Sequence, residues 1–129
     1  MRHGSASDPA AWFTLAKDDL EKAKIAIGAA RPEWALEQIQ QAAEKAMKGW
    51  LIEKGWPLRK LHDLSDLSDE TLKHGLDLSW FKQTADLLGV EYLAGRYPGF
   101  EEPMPDLADA EQAFAATEKL LAQLIPKKP

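Results

Sequence analysis

The feature that most constrains this chain is the stretch EWALEQIQQAAEKAMKGWLIEKG, residues 33–55, in which apolar residues return at three- and four-residue steps and never alternate. At about 100° of turn per residue, Leu36, Ile39, Ala43, Ala46, Met47 and Trp50 fall within one arc, and Glu37, Gln40, Gln41, Glu44, Lys45 and Lys48 share the opposite one. A helix with such a stripe has to bury it against other elements. Periodicity alone reads the polar arc as a solvated face, with Glu44 and Lys48 forming a favourable i,i+4 pair. Gly49, next to Trp50, leaves room for the close approach of another helix.

The same period runs through the rest of the chain. Asp8-Pro9 is a helix start, because Asp can cap free N–H groups and Pro at the first position loses no bond. The first helix is expected from about Pro9 to Ile27, with Trp12, Ala16, Leu20, Ala23 and Ile27 buried, Lys17, Asp18, Glu21 and Lys24 opposite, and Gly28 as a left-handed C-cap. Residues 55–66, GWPLRKLHDLSD, read as a connection that brings Arg59, His62 and Asp63 close together. A short helix follows from about Ser68 to His74 and stops at Gly75. Asp77 or Ser79 caps a fourth helix through Leu93, whose stripe is Phe81, Ala85, Leu88 and Tyr92. Then comes RYPGFEEPMPD, a stiff loop with Pro98, Pro103 and Pro105, of a kind that is often functional in a small helical domain. The last helix starts at Asp106, repeats Leu107, Ala110, Phe114, Thr117, Leu121 and Leu124, and ends before Pro126. The expected fold is all-α: a four- to five-helix up-down bundle, mostly of antiparallel neighbours.

Composition narrows the classes of function. A chain of 129 residues suits one domain spanning residues 1–129, with residues 1–7 a frayed terminus or an expression scar. Its 45% hydrophobic and 29% charged residues are those of a soluble protein, and no apolar run reaches the roughly 20 residues of a membrane span. With no signal-peptide pattern, the expected compartment is the cytoplasm. Zero cysteines exclude disulfides and thiolate chemistry, and three scattered histidines make a metal site unexpected. A net charge of -5 disfavours binding to a DNA duplex, which counterion release from a basic surface drives. No phosphate loop, dinucleotide fingerprint, HExxH or GxSxG motif is present, and no cofactor is expected. Of the five tryptophans, Trp12 and Trp50 fit apolar stripes, while Trp34, Trp56 and Trp80 are the better candidates for an interface.

Four segments together resemble the HEPN family (higher eukaryotes and prokaryotes nucleotide-binding), in its small stand-alone prokaryotic form. They are WFTLAKDDLEKA from Trp12, QQAAEKAMKGWL from Gln40, LHDL from Leu61 and GRYP from Gly95, in the family's order over nearly the whole domain. The resemblance implies a helical bundle that usually forms homodimers, often works beside a minimal nucleotidyltransferase, and is linked both to nucleotide binding and to toxin ribonucleases. Under it the polar arc becomes a recognition face. Amide groups such as that of Gln41 can pair with base edges, and Lys45, Lys48 and Arg59 can meet phosphate, so a nucleotide or RNA ligand is expected.

Catalytic members carry an Arg followed after four to six residues by His. Here Arg96 has no histidine downstream and Arg59 precedes His62 by three positions, which weighs against ribonuclease activity. Metal-independent RNA cleavage needs a base, an acid and a cation for the phosphorane charge. His62, Asp63, Arg96 and Tyr97 are the candidate catalytic residues if folding brings them together. The local alternatives are an Asp63 helix cap for the first pair and a helix exit for the second. Three functions therefore stand: a nucleotide-binding module with a nucleotidyltransferase partner, a ribonuclease toxin of a toxin–antitoxin pair, and a non-catalytic oligomeric scaffold.

Overall fold

The computed structural model describes residues 6–94 and 105–127, with side chains described for all of these except 90–94. It is an all-α bundle of α1 (Pro9–Gly28), α2 (Pro32–Glu53), α3 (Leu64–Lys73), α4 (Lys82–Ala94) and α5 (Leu107–Leu124), with a 3-10 turn at Ser79–Phe81 leading into α4. No strand occurs among the described residues.

The helix starts follow from local chemistry. The Asp8 carboxylate accepts from the Ala10 N–H, with Pro9 at the first helical position. Asp106 and Asp109 form a reciprocal capping box at α5, each side chain accepting from the other's backbone N–H. At the far end of α2, Gly55 takes a positive φ of 93°, and the Trp56 N–H turns back onto the Leu51 carbonyl at 3.0 Å. The turn after α1 differs from expectation. Gly28 stays helical and Ala30 takes the left-handed conformation, φ 57°, so that the Arg31 N–H can reach the Ala26 carbonyl.

Helix α2 is the centre of the bundle and packs on α1, α3, α4 and α5. Leu36, Ile39, Ala43, Ala46 and Met47 are fully buried, as its period requires, while Trp50 is only half-buried at the rim. Gly49 marks the closest approach to α1: a Cβ there would lie 2.7 Å from Phe13 Cε1 and 3.0 Å from Trp12 Cβ. That approach corrects the expected stripe of α1. Its buried set is Phe13, Ala16, Asp19, Ala23 and Ala26, with Trp12, Leu20 and Ile27 half-buried. The helix is rotated so that small residues face α2 and Asp19 enters the interface, where a lysine from α2 meets it.

Three further expectations are revised. α3 begins at Leu64 rather than near Ser68, because Asp63 caps the Ser65 and Asp66 N–H groups and Leu64, Leu67 and Thr71 supply a buried face. Trp56 is a core residue, 4% exposed, whereas Trp34 and Trp80 remain exposed. The polar arc of α2 is not a solvated face, since Glu44 and Lys48 are buried. Phe81, Ala85 and Leu88 of α4 are buried as expected, and the Tyr92 side chain lies outside the described ones.

Candidate functional site

The site is built from the polar arc of α2 and the connection of residues 54–63 that crosses it. Glu44 is the hub. Its Oε2 accepts from Lys48 Nζ at 2.9 Å and lies 2.8 Å from His62 Nδ1, while its Oε1 accepts from Gln40 Nε2 at 3.1 Å. The same Gln40 amide leans on the His62 carbonyl at 3.4 Å, and Gln41 Nε2 donates to Gln40 Oε1 at 3.2 Å. The Glu44 and Lys48 side chains are 9% and 5% exposed, but that of His62 is 71% exposed. A buried carboxylate thus holds a histidine at the surface.

The electrostatics follow from the same contacts. Burial acts to raise the Glu44 carboxyl, but the hydrogen bonds from Lys48 and His62, the Lys48 charge and the Gln40 amide more than offset it, so the group sits below its ordinary value. An ionised carboxylate only accepts hydrogen bonds, so a hydrogen bond between Glu44 and His62 requires the proton on Nδ1. Nε2 is then the ring nitrogen left for another partner. Lys48 also lies over the Trp12 ring, 5.7 Å from its centroid, which adds a second favourable contact for the buried cation.

Two further carboxylates organise the neighbourhood. Asp19 of α1, itself buried, accepts from Lys45 Nζ at 2.6 Å and lies 3.8 Å from Lys22 Nζ, tying α1 to α2 at the residue next to Glu44. Glu70 of α3 accepts from Trp56 Nε1 at 3.1 Å, Arg59 Nη2 at 2.7 Å and Lys73 Nζ at 3.1 Å. The Lys73 hydrogen bond holds the Glu70 carboxyl below its ordinary value against partial desolvation, aided by the Arg59 charge and the Trp56 N–H. Arg59 also stacks over the Trp56 ring at 5.5 Å. The connection is therefore pinned twice, by Glu70 at Trp56 and Arg59 and by Glu44 at His62.

These contacts place the residues singled out from sequence. Gln41, Lys45, Lys48 and His62 lie on one network or directly beside it, and Arg59 is on the same connection as His62. Lys48 is enclosed by Glu44 and offers no free donor face. Lys45 is paired with Asp19 and partly exposed, and Arg59 is half-exposed beside Glu70. The Asp63 carboxylate caps α3. Arg96 and Tyr97 lie outside the described residues. Sequence reasoning assigned no role to Asp19 or Glu70 and gave Glu44 only a helix-face role. The i,i+4 spacing of Glu44 and Lys48 was visible, but nothing local signals a partner 18 residues further on at His62. Among the described residues no cluster of three or more His, Asp or Glu is placed to hold a metal ion, and no helix is long and apolar enough to cross a membrane.

The molecule is thus an all-α bundle with a charged network across its central helix. The HEPN domain model matches residues 10–127, nearly the whole chain, and the chain belongs to the HEPN family. That membership makes it a nucleotide-binding or ribonuclease-type module. No curated protein and no solved structure matches it.

Proposed function

We propose that this HEPN protein is a homodimeric nucleotide-binding module that acts in the cytoplasm with a minimal nucleotidyltransferase partner. Its ligand surface is the polar arc of α2 together with the 54–63 connection. The observation that carries this reading is the outward presentation of Arg59 and His62, each anchored by a carboxylate on a helix of the bundle core. Anchoring lowers the conformational entropy that a ligand has to remove, and preorganised side chains bind more tightly for the same contacts. Around them Gln41 and Lys45 offer amide and ammonium groups suited to a base edge and a phosphate. Most cations of the face already have a carboxylate partner, so recognition here rests on placed hydrogen bonds more than on bulk positive charge.

Thermal denaturation with a panel of nucleoside mono-, di- and triphosphates and a short RNA tests the reading. A rise of several degrees for one ligand, lost in Arg59→Ala, is the expected outcome. A flat panel, together with failure to co-purify a nucleotidyltransferase, would contradict it. A second reading, a metal-independent ribonuclease of a toxin–antitoxin pair, is favoured by one observation: the imidazole of His62 is held through Nδ1, as a general base or acid requires. Growth arrest on expression that His62→Ala relieves supports it, and intact cellular RNA after induction counts against it.

A further inference from the structure

We infer that Glu44 is a positioning residue that fixes His62 in the Nδ1–H tautomer, so that Nε2 is the proton-accepting atom of a base acting on phosphodiesters with a neighbouring hydroxyl. The inference rests on the ribonuclease reading and deepens it. It explains how an acid–base site can exist in a chain that lacks the Arg-to-His spacing of catalytic relatives.

One observation sets the tautomer and two more make Nε2 usable. The carboxylate at 2.8 Å from Nδ1 has no proton to give while Lys48 and Gln40 keep it ionised. The backbone that follows the imidazole is held, since the His62 carbonyl meets Gln40 Nε2 and Asp63 is committed to capping α3. The ring itself stands 71% exposed, so Nε2 can meet a substrate without a rearrangement of the core. A carboxylate that orients an imidazole also stabilises the imidazolium formed during proton transfer. Glu44 touches no substrate and acts only through His62. Lys48, behind it, keeps the carboxylate charged, which gives the buried pair a purpose that packing alone does not require.

In the reaction this geometry serves, Nε2 takes the 2′-hydroxyl proton, the 2′-oxygen bonds to phosphorus and the bond from phosphorus to the 5′-oxygen breaks. The leaving oxygen takes a proton from water, and the imidazolium returns its own to the hydroxide so formed. The products are a 2′,3′-cyclic phosphate and a 5′-hydroxyl, and no oxidant, metal or cofactor enters the balance. Arg59, half-exposed beside Glu70 on the same connection, is the cation assigned to the phosphorane charge.

Two readouts on the full chain separate the inference from the reading beneath it. Long-range proton–nitrogen NMR correlations, taken where the ring is neutral, report which nitrogen of His62 carries the proton. Nδ1–H is expected in the wild type, with a shift toward the Nε2–H form that free histidine prefers in Glu44→Leu/Lys48→Met. The double replacement removes both buried charges together and keeps the fold testable, and His62→Ala serves as the second variant. In parallel, a short RNA is assayed for cyclic-phosphate ends. The wild type is expected to cleave it, with kcat at least about tenfold lower in the double variant, KM little changed and the pH profile displaced. Nε2–H in the wild type, or cleavage indifferent to the double variant, overturns the role of Glu44 even if RNA is cut. Nδ1–H with RNA left intact overturns the ribonuclease reading and the base role with it, while the tautomer assignment survives.

Discussion

Glu44 and Glu70 have matching tasks at two points of one connection: each carboxylate accepts from three donors and each pins a stretch of residues 54–63. Their surroundings differ. Glu44 shares its charge with Lys48, which is 5% exposed, whereas the cations on Glu70 are Arg59 and Lys73, 52% and 69% exposed. An ion pair taken out of water is costly to break from one side, because the remaining charge has no solvent. A pair at the surface can be broken with water taking the vacant place. The same residue type in the same role is therefore integral to the core in one case and adjustable in the other.

The contrast can be broken most forcefully at Glu44. Glu44→Ala leaves Lys48 buried without its carboxylate and is expected to cost about 3–5 kcal/mol in chemical denaturation. A loss below about 1 kcal/mol would mean that Lys48 reaches water and that the two sites are alike. Gly49→Ala, next to Lys48 in α2, serves as a control that acts by packing alone. The new methyl meets Phe13 Cε1 at 2.7 Å, and the overpacking, less the gain in helix propensity, leaves about 1–2 kcal/mol of destabilisation. Unlike Glu44→Ala, that loss should not vary with pH.

Acid sharpens the comparison further. Both carboxyls titrate below their ordinary value of 4.5 in the folded protein, so their contributions are complete above that pH and are lost as the pH falls through the depressed folded values. Melting temperature should drop on that side, and Glu44→Leu/Lys48→Met should flatten part of the drop. The smallest effect is expected for Glu70→Ala. It should lower the melting temperature less than Glu44→Ala does, and by an amount that shrinks in high salt, since the Debye length falls from about 10 Å at 0.1 M to about 3 Å at 1 M. Equal salt sensitivity at the two positions would erase the distinction.

The fold was legible because helical period, caps and breakers are local. Asp8-Pro9, the helix start at Asp106 and the buried arc of α2 could each be read from a window of a few residues. The errors arose where tertiary contact competes with local pattern. α1 turned Phe13 and Asp19 inward because Gly49 admits the Phe13 ring and Lys45 neutralises Asp19. Trp56 sat in a connection, which suggested an exposed aromatic, yet its indole N–H found Glu70 and its ring entered the core. The site was half-legible for the same reason. Gln41, Lys45, Lys48, Arg59 and His62 were singled out by residue type, but the carboxylates that organise them belong to three different helices, and apart from the i,i+4 spacing of Glu44 and Lys48 no spacing announces these pairings.

A competing surface among the described residues is a groove of about 650 Å³ between α1 and α5, lined by Leu20, Phe114, Leu121, Lys17 and Lys24. NMR shift perturbation by RNA and by individual nucleotides therefore tests the central claim most directly, because it reports which face is used. The account predicts that the largest changes fall on His62, Arg59, Gln41 and Lys45, and that Glu44→Leu/Lys48→Met abolishes them at His62. Changes confined to the α1–α5 groove, or none with any ligand, would contradict it.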